Sequence, residues 1–273
     1  MPAQLYEMAL KERLDKVLVE RNLFPTREKA RREILAGLVS VEGRIVDKAG
    51  TRIPGEARIE IKGEACPYVS RGGLKLEKAL REFKIEVKDK VAIDIGASTG
   101  GFTDCLLREG AGKVYAVDVG YGQLSWKLRC DERVINRERK NARYLRKEEV
   151  EEAPDLATID VSFISLDKII PVVVPLLRDK GEVIPLIKPQ FEVGKGKVGR
   201  GGVVREANLH RETILKIMKL AEKLGLGIQG LIPSPLKGPA GNREFFIHLS
   251  KGRAGLKTEE AKDLAEKVVT GLA

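Results

Sequence analysis

Cysteine is scarce in this 273-residue chain, and Cys66, Cys105 and Cys130 are odd in number and widely spaced. That excludes a disulfide framework and a zinc site of the C-x-x-C kind, so a reducing cytoplasm is the expected compartment. No apolar run is long enough to cross a bilayer. The opening residues, "MPAQLYEMALKERLDKVLVE", carry charges too often for a secretory signal peptide. Acid is also in deficit. The 50 Lys and Arg face 40 Asp and Glu, a net charge of +10 that points to a polyanionic partner such as nucleic acid.

What is present is enough for a core: 42% of residues are hydrophobic and 33% charged, which suits one large domain or a small one followed by a medium one. Residues from about Leu5 to Glu64 read as a unit. In "KERLDKVLVERN", Leu14, Val17 and Leu18 share a helical face. "PTREKARREILAG" offers Thr26 as N-cap and Gly37 as a C-terminal stop. Its apolar face is Ala30, Ile34 and Leu35, and the other face carries Arg27, Lys29, Arg31 and Arg32. "LVSVEGRIV" alternates around Glu42-Gly43, a hairpin signal, and "ARIEIKG" adds a short strand. The unit holds 13 Lys and Arg against 11 Asp and Glu, so its basic character is local to the second helix. Such a cluster suits phosphate contact, and equally a solvated helix face.

The stretch "RLDKVLVERNLFPTREKARREILAGLVSVEGRIV" resembles the alpha-L RNA-binding motif of a small-subunit ribosomal protein, bacterial tyrosyl-tRNA synthetases and many pseudouridine synthases. An R-L-D opening, a T-R-x-x-A-x-x-x-I step and a G-x-V-x-V-x-G hairpin carry the likeness. It implies binding to structured RNA through the two helices and the hairpin, with Arg13, Lys16, Arg27, Arg31 and Arg44 at phosphates. Lys29 and Arg32, on the same helix, and Arg71, at the end of the following junction, complete the candidate RNA-binding set.

Beyond Cys66 the pattern changes to α/β. "SRGGLKLEKALREF" reads as a helix, followed by the unbroken apolar strand "VAIDIG" and helix "GFTDCLLREG". Strands "KVYAVDVG", "LATIDVSF", "EVIPLIKP", "GIQGLIP" and "EFFIHLS" follow, with helices "LDKIIPVVVPLLRDKG" and "LHRETILKIMKLAEKLG" among them. Continuous apolar strands alternating with helices predict a mainly parallel sheet covered on both faces, its ligand beyond the carboxyl ends of the strands.

The first strand runs into "DIGASTGGFTD". A dinucleotide fingerprint requires G-x-G-x-x-G, but position 98 is serine, and no P-loop lysine follows. What fits is the D-x-G-x-x-x-G-G loop of S-adenosylmethionine enzymes. Asp94, Gly96, Ala97, Ser98, Thr99, Gly100, Gly101 and Phe102 form the candidate cofactor loop. Asp118, at the end of the next strand and followed by Val119, can accept hydrogen bonds from ribose hydroxyls.

Four charged residues fall where charge is costly. Asp160 closes "LATID", Lys188 closes "EVIPLIK", Lys75 lies among leucines in "GGLKLEKAL", and Glu244 opens the final strand, read as antiparallel. Each alone is an ordinary strand-end charge. Together they converge on one sheet edge. "GKGKVGRGG" (194–202) is either a disordered surface loop or a flexible RNA clamp.

The order Lys, Asp, Lys, Glu is similar to the tetrad of ribose 2′-O-methyltransferases of the FtsJ kind. With "VDVGYGQLSWKLR", "LIKPQFEVGKGKVGRGGVV" and "SPLKGPAGN", the chain resembles the TlyA family over nearly its whole length. That resemblance implies a small α+β RNA-binding domain (1–64), a linker (65–70) and a Rossmann-like methyltransferase domain (71–273) with a mainly parallel seven-stranded sheet. It implies S-adenosylmethionine as cofactor and no metal. Methyl transfer goes to a ribose 2′-hydroxyl of ribosomal RNA, on cytidine, with Lys75, Asp160, Lys188 and Glu244 catalytic. Lys188 is either the base or the group that orients the hydroxyl. Where FtsJ-type enzymes carry an acid for the adenine amine, this chain reads "KNARYL", placing Asn141 and Ala142 there. Partners are ribosomal RNA or ribosomal subunits, with no membrane, for a cytoplasmic monomer. Two other classes remain beside it: a membrane-active haemolysin, after the name some of the family carry, and a non-catalytic ribosome-assembly factor.

Overall fold

A computed structural model describes residues 11–35, 37–61, 66–194 and 196–271, apart from the side chain of Arg32. The chain divides into two compact units, Met1–Arg71 and Gly72–Ala273.

The first unit opens with β1 (Lys11–Arg13), paired antiparallel with β4 (Arg52–Pro54). This pairing corrects the helix start expected at Lys11: α1 spans Leu14–Glu20, because the residues before it are held extended by the ladder. Helix α2 (Arg27–Leu35) begins where Thr26 Oγ1 accepts the Lys29 N–H at 3.1 Å. The hairpin of β2 (Val39–Val41) and β3 (Arg44–Ile45) turns at Glu42 and Gly43, both left-handed with φ of 50° and 73°. Two positive φ values make the primed turn whose twist suits a two-residue hairpin. β5 (Ile59–Ile61) pairs with the other edge of β2. Leu14, Val17, Leu18, Ala30, Ile34, Val39 and Ile53 form the core beneath.

The second unit begins with α3 (Gly72–Glu82) and carries a seven-stranded sheet. Its first elements are β6 (Val91–Ile95), α4 (Gly101–Arg108), β7 (Lys113–Val117), the short α5 (Trp126–Arg129) and β8 (Val134–Arg137). Then come β9 (Leu156–Ile159), β10 (Glu182–Ile187), β11 (Leu226–Pro233) and β12 (Phe245–Lys251). The order is β11-β12-β10-β9-β6-β7-β8, with β12 alone reversed. Strand β8 went unread because it is an edge strand with one fully buried residue, Val134, so its apolar pattern is weak.

The expected helix over 166–180 is corrected. It is the four-residue α6 (Ile170–Val173) between short 3-10 turns, since Pro171 and Pro175 each remove a backbone donor. Helices α7 (Pro189–Glu192), α8 (Ala207–Lys223) and α9 (Thr258–Thr270) complete the unit, α9 being an element beyond those read from the sequence, although Ala261, Ala265, Val268 and Val269 recur at helical spacing. The chain leaves β6 toward β7 on one side and reaches β9 on the other, so a crevice opens at the carboxyl end of β6.

Candidate active site

The turn after β6 is shaped by how closely β9 approaches it. Asp160 N–H donates to Ile95 O at 2.9 Å, and a Cβ on Gly96 would lie 2.5 Å from the Asp160 carbonyl oxygen. Gly96 also has φ of +89°, so glycine alone fits there. Asp118 holds the turn from its other side, accepting Ser98 N–H at 2.8 Å on Oδ2 and Gly120 N–H at 2.7 Å on Oδ1.

These groups border a cleft of about 360 Å³. Of the candidate cofactor residues, Gly96, Ser98, Asp118, Val119, Asn141 and Ala142 line it, with Val117, Ile164 and Ile169 as an apolar wall. Asn141 caps the turn after it, its Oδ1 accepting Arg143 N–H at 3.1 Å, which leaves its amide NH2 as the unspent polar group. The rest of the candidate loop lies behind the cleft. Ala97, Gly100, Gly101 and Phe102 are buried, Thr99 is half-buried, and Phe102 stacks on Phe246 at 6.0 Å.

Asp94 does not face the cleft. Its fully buried carboxyl accepts from Thr103 Oγ1 at 2.7 Å and from Thr158 Oγ1 at 3.1 Å. Burial, with the like charge of Asp160 adding to it against the two hydroxyls, pushes its pKa up to about 7. A raised carboxyl pKa makes the folded state hold a proton that the unfolded chain releases near pH 4. Stability therefore falls as pH rises from about 4 to about 7, by up to roughly 4 kcal/mol, and the full cost stands above that window. Asp94→Asn, a neutral stand-in, is expected to melt progressively higher than wild type between about pH 4 and about pH 7, and by a constant margin above that. A gap in melting temperature that stays constant across that range would contradict the assignment.

Two ion pairs sit at the ligand edge of the sheet. Lys75 Nζ, on α3, donates to Glu244 Oε2 at 2.6 Å, and both side chains are buried. Lys188 Nζ donates to Ser162 Oγ at 3.0 Å and lies 2.6 Å from Asp160 Oδ1. The latter contact has the length of a charge-assisted hydrogen bond, so the ammonium is shared between Ser162 and Asp160. The reversed β12 joins the two pairs: Ile187 faces Phe245 in the β10–β12 ladder, so the next step of the register sets Lys188 opposite Glu244.

Sequence reasoning missed Ser162 and Phe163. Phe163 is 90% exposed, has φ of 62°, borders the cleft and stacks on Phe191 at 5.0 Å. An aromatic directly after a strand-ending acid, in "DVSF", is the signal that was available.

In the first unit the candidate RNA contacts behave unequally. The Asp15 carboxylate, fully buried, accepts from Arg13 Nε at 2.9 Å, Arg27 Nη2 at 3.0 Å and Arg31 Nε at 3.0 Å. Arg13 first, then Arg31 and Arg27, hold it well below the usual carboxylate range. Lys16 sits between Glu12 at 2.5 Å and Glu20 at 3.1 Å, and Lys29 pairs with Glu33 at 3.4 Å. Arg44 is exposed on β3 and Arg71 lies across Gly37. The side chain of Arg32 is outside the described residues.

Comparison with known proteins follows the same division. The FtsJ-like methyltransferase family matches residues 68–251, and the S4 domain matches residues 12–59. The chain is 49% identical over 95% of its length to "Putative rRNA methyltransferase YqxC" of Bacillus subtilis, covering 92% of that protein. It is 44% identical over 89% of its length to the "16S/23S rRNA (cytidine-2'-O)-methyltransferase TlyA" of Mycobacterium tuberculosis, covering 91% of it. A solved structure, "Putative hemolysin from Streptococcus thermophilus", superimposes with a TM-score of 0.75 at 44% identity, over 97% of this chain and 98% of that one.

Proposed function

The chain belongs to the FtsJ-like methyltransferases and carries an S4 domain ahead of the catalytic one, and on that premise we propose that it methylates the ribose 2′-hydroxyl of a cytidine in ribosomal RNA, with S-adenosylmethionine as donor. The reaction named for the mycobacterial relative supports the target. The observation that carries the chemistry is Lys188 Nζ 2.6 Å from Asp160 Oδ1, at the edge of the Gly96 cleft.

The cleft fits the cofactor. The Gly96 backbone borders the cleft, Asp118 offers a carboxylate for ribose hydroxyls, and Val119, Ala142 and Ile164 offer an apolar wall for a flat base. The Asn141 amide would donate to a ring nitrogen, where an acid would have accepted from the adenine amine. When bound, S-adenosylmethionine supplies a methyl group made electrophilic by its sulfonium.

The protein's share is alignment and proton handling. Lys188, with one N–H given to Ser162, holds the 2′-oxygen with another. Asp160 Oδ1 accepts the hydroxyl hydrogen. On transfer of the methyl group to that oxygen, Asp160 would take the hydroxyl proton while Lys188 would hold the oxygen in place. The Lys75–Glu244 pair fixes the neighbouring strand start, and Phe163 presents a face on which a base stacks.

No helix among the described residues is long and apolar enough to cross a membrane, so the haemolysin name of some relatives finds no membrane-spanning helix here. The deciding experiment is mass mapping of ribose methylation on ribosomal RNA incubated with the protein and S-adenosylmethionine. A new 2′-O-methylcytidine is expected, and unmodified RNA from both subunits would defeat the reading.

A further inference from the structure

Three arginines of the first unit share one acid, and they come to it from two different elements. Arg13 belongs to β1, Asp15 to the first turn of α1, and Arg27 and Arg31 stand one helical turn apart on α2. We propose that Asp15 is a positioning residue for RNA, gathering the guanidinium groups of Arg13, Arg27 and Arg31 into one three-armed cradle for backbone phosphates. The inference deepens the RNA-directed reading above and rests on it.

The cluster is closed on the acid's side and open on the arginines' side. The Asp15 side chain is 0% exposed, while those of Arg13, Arg27 and Arg31 are 46%, 50% and 51% exposed. A guanidinium has five N–H donors in a fixed plane, and Asp15 takes only one or two from each, so most donors remain for an anion. Sinking an ionised carboxylate into so small a core is a poor way to gain stability, since apolar side chains of similar volume commonly do as well. Its effect is geometric: three long side chains that would otherwise sample many rotamers are held in one arrangement before RNA arrives.

Lys16 nearby pairs instead with Glu12 and Glu20, all three side chains exposed, contacts of the kind that exchange readily with solvent. With 13 cations against 11 acids, residues 5–64 are nearly neutral. The cluster concentrates an excess of two positive charges at one spot, three guanidiniums against one carboxylate.

The test turns on a sign. Asp15→Asn raises the net charge by one, so attraction by charge alone makes RNA bind tighter. Positioning makes it bind more weakly, by about tenfold, because the guanidiniums must then be ordered at the moment of binding. The measurement is filter binding of the full-length chain to purified bacterial ribosomal RNA over a series of KCl concentrations, with folding followed by circular dichroism. A weaker constant together with a shallower salt slope supports the proposal. Equal or tighter binding by a folded variant overturns it. Should Asp15→Asn fail to fold, Arg31→Lys decides, for it keeps the charge and loses the planar fork. A loss of about threefold or more is expected there, and unchanged affinity overturns the proposal. Binding rather than methylation is the readout, so a wild type that binds RNA without methylating it refutes the proposed reaction and still decides this one. A wild type with no affinity for ribosomal RNA overturns both.

Discussion

Lys188→Ala is expected to lower methyl transfer by about a hundredfold to ten-thousandfold while leaving the fold and the affinity for S-adenosylmethionine nearly unchanged. The asymmetry follows from where the side chain sits. Lys188 lies just past the end of β10 and is not among the residues lining the cleft, so its loss removes no wall of the cofactor site. What is lost is the positive partner of Asp160 and, in the proposed mechanism, the donor that holds the attacking oxygen. Single-turnover methylation, alongside calorimetric titration with S-adenosylhomocysteine, separates the two effects. Near-normal turnover removes Lys188 from the mechanism. Turnover lost in step with cofactor binding makes it a structural residue instead.

Glu244→Ala is expected to cost both activity and about 3–5 kcal/mol of stability, since it strands the Lys75 ammonium in a buried place without its partner. The double variant Lys75→Met with Glu244→Leu removes both charges and is expected to regain most of that stability without regaining activity. Chemical denaturation of Lys75→Met, of Glu244→Leu and of the double variant that combines them gives the coupling directly. If the double variant is no more stable than the worse single one, the pair is not a unit. The turn before Glu244 is built around it: a Cβ on Gly238 would lie 2.5 Å from Glu244 Oε1, so the Gly- and Pro-rich approach is fitted to this carboxylate.

Much of this site was readable because charge at the end of an apolar strand is conspicuous. Asp160 and Lys188 follow runs of buried residues, and Glu244 opens another, so a sheet that brings those ends together brings the charges together. Pairing was not readable. Which lysine takes which acid depends on β12 running against its neighbours and on where α3 lies, and neither leaves a local mark. Asp94 misled for a related reason. In a strand buried on both faces, nothing in the letters says that its carboxyl turns toward Thr103 and Thr158 instead of the crevice. Asp15 hid in plain view, since an acid beside an arginine reads as a neighbour and not as the hub of three elements. Strand β8 was lost for want of burial, and the 166–180 helix was over-read because its apolar residues outweighed two prolines.

Strand β12 has a consequence for how the protein is made. It is the last strand synthesised, yet it lies inside the sheet between β10 and β11. A nascent chain that has left the ribosome as far as residue 240 has β11 with no strand to pair with, and Lys75 with no acid to meet. Insertion of β12 completes the hydrogen-bonded ladder on both its sides and delivers Glu244 in the same event. A partly translated molecule therefore holds the strands that border the Gly96 cleft without the Lys75–Glu244 ion pair beside them.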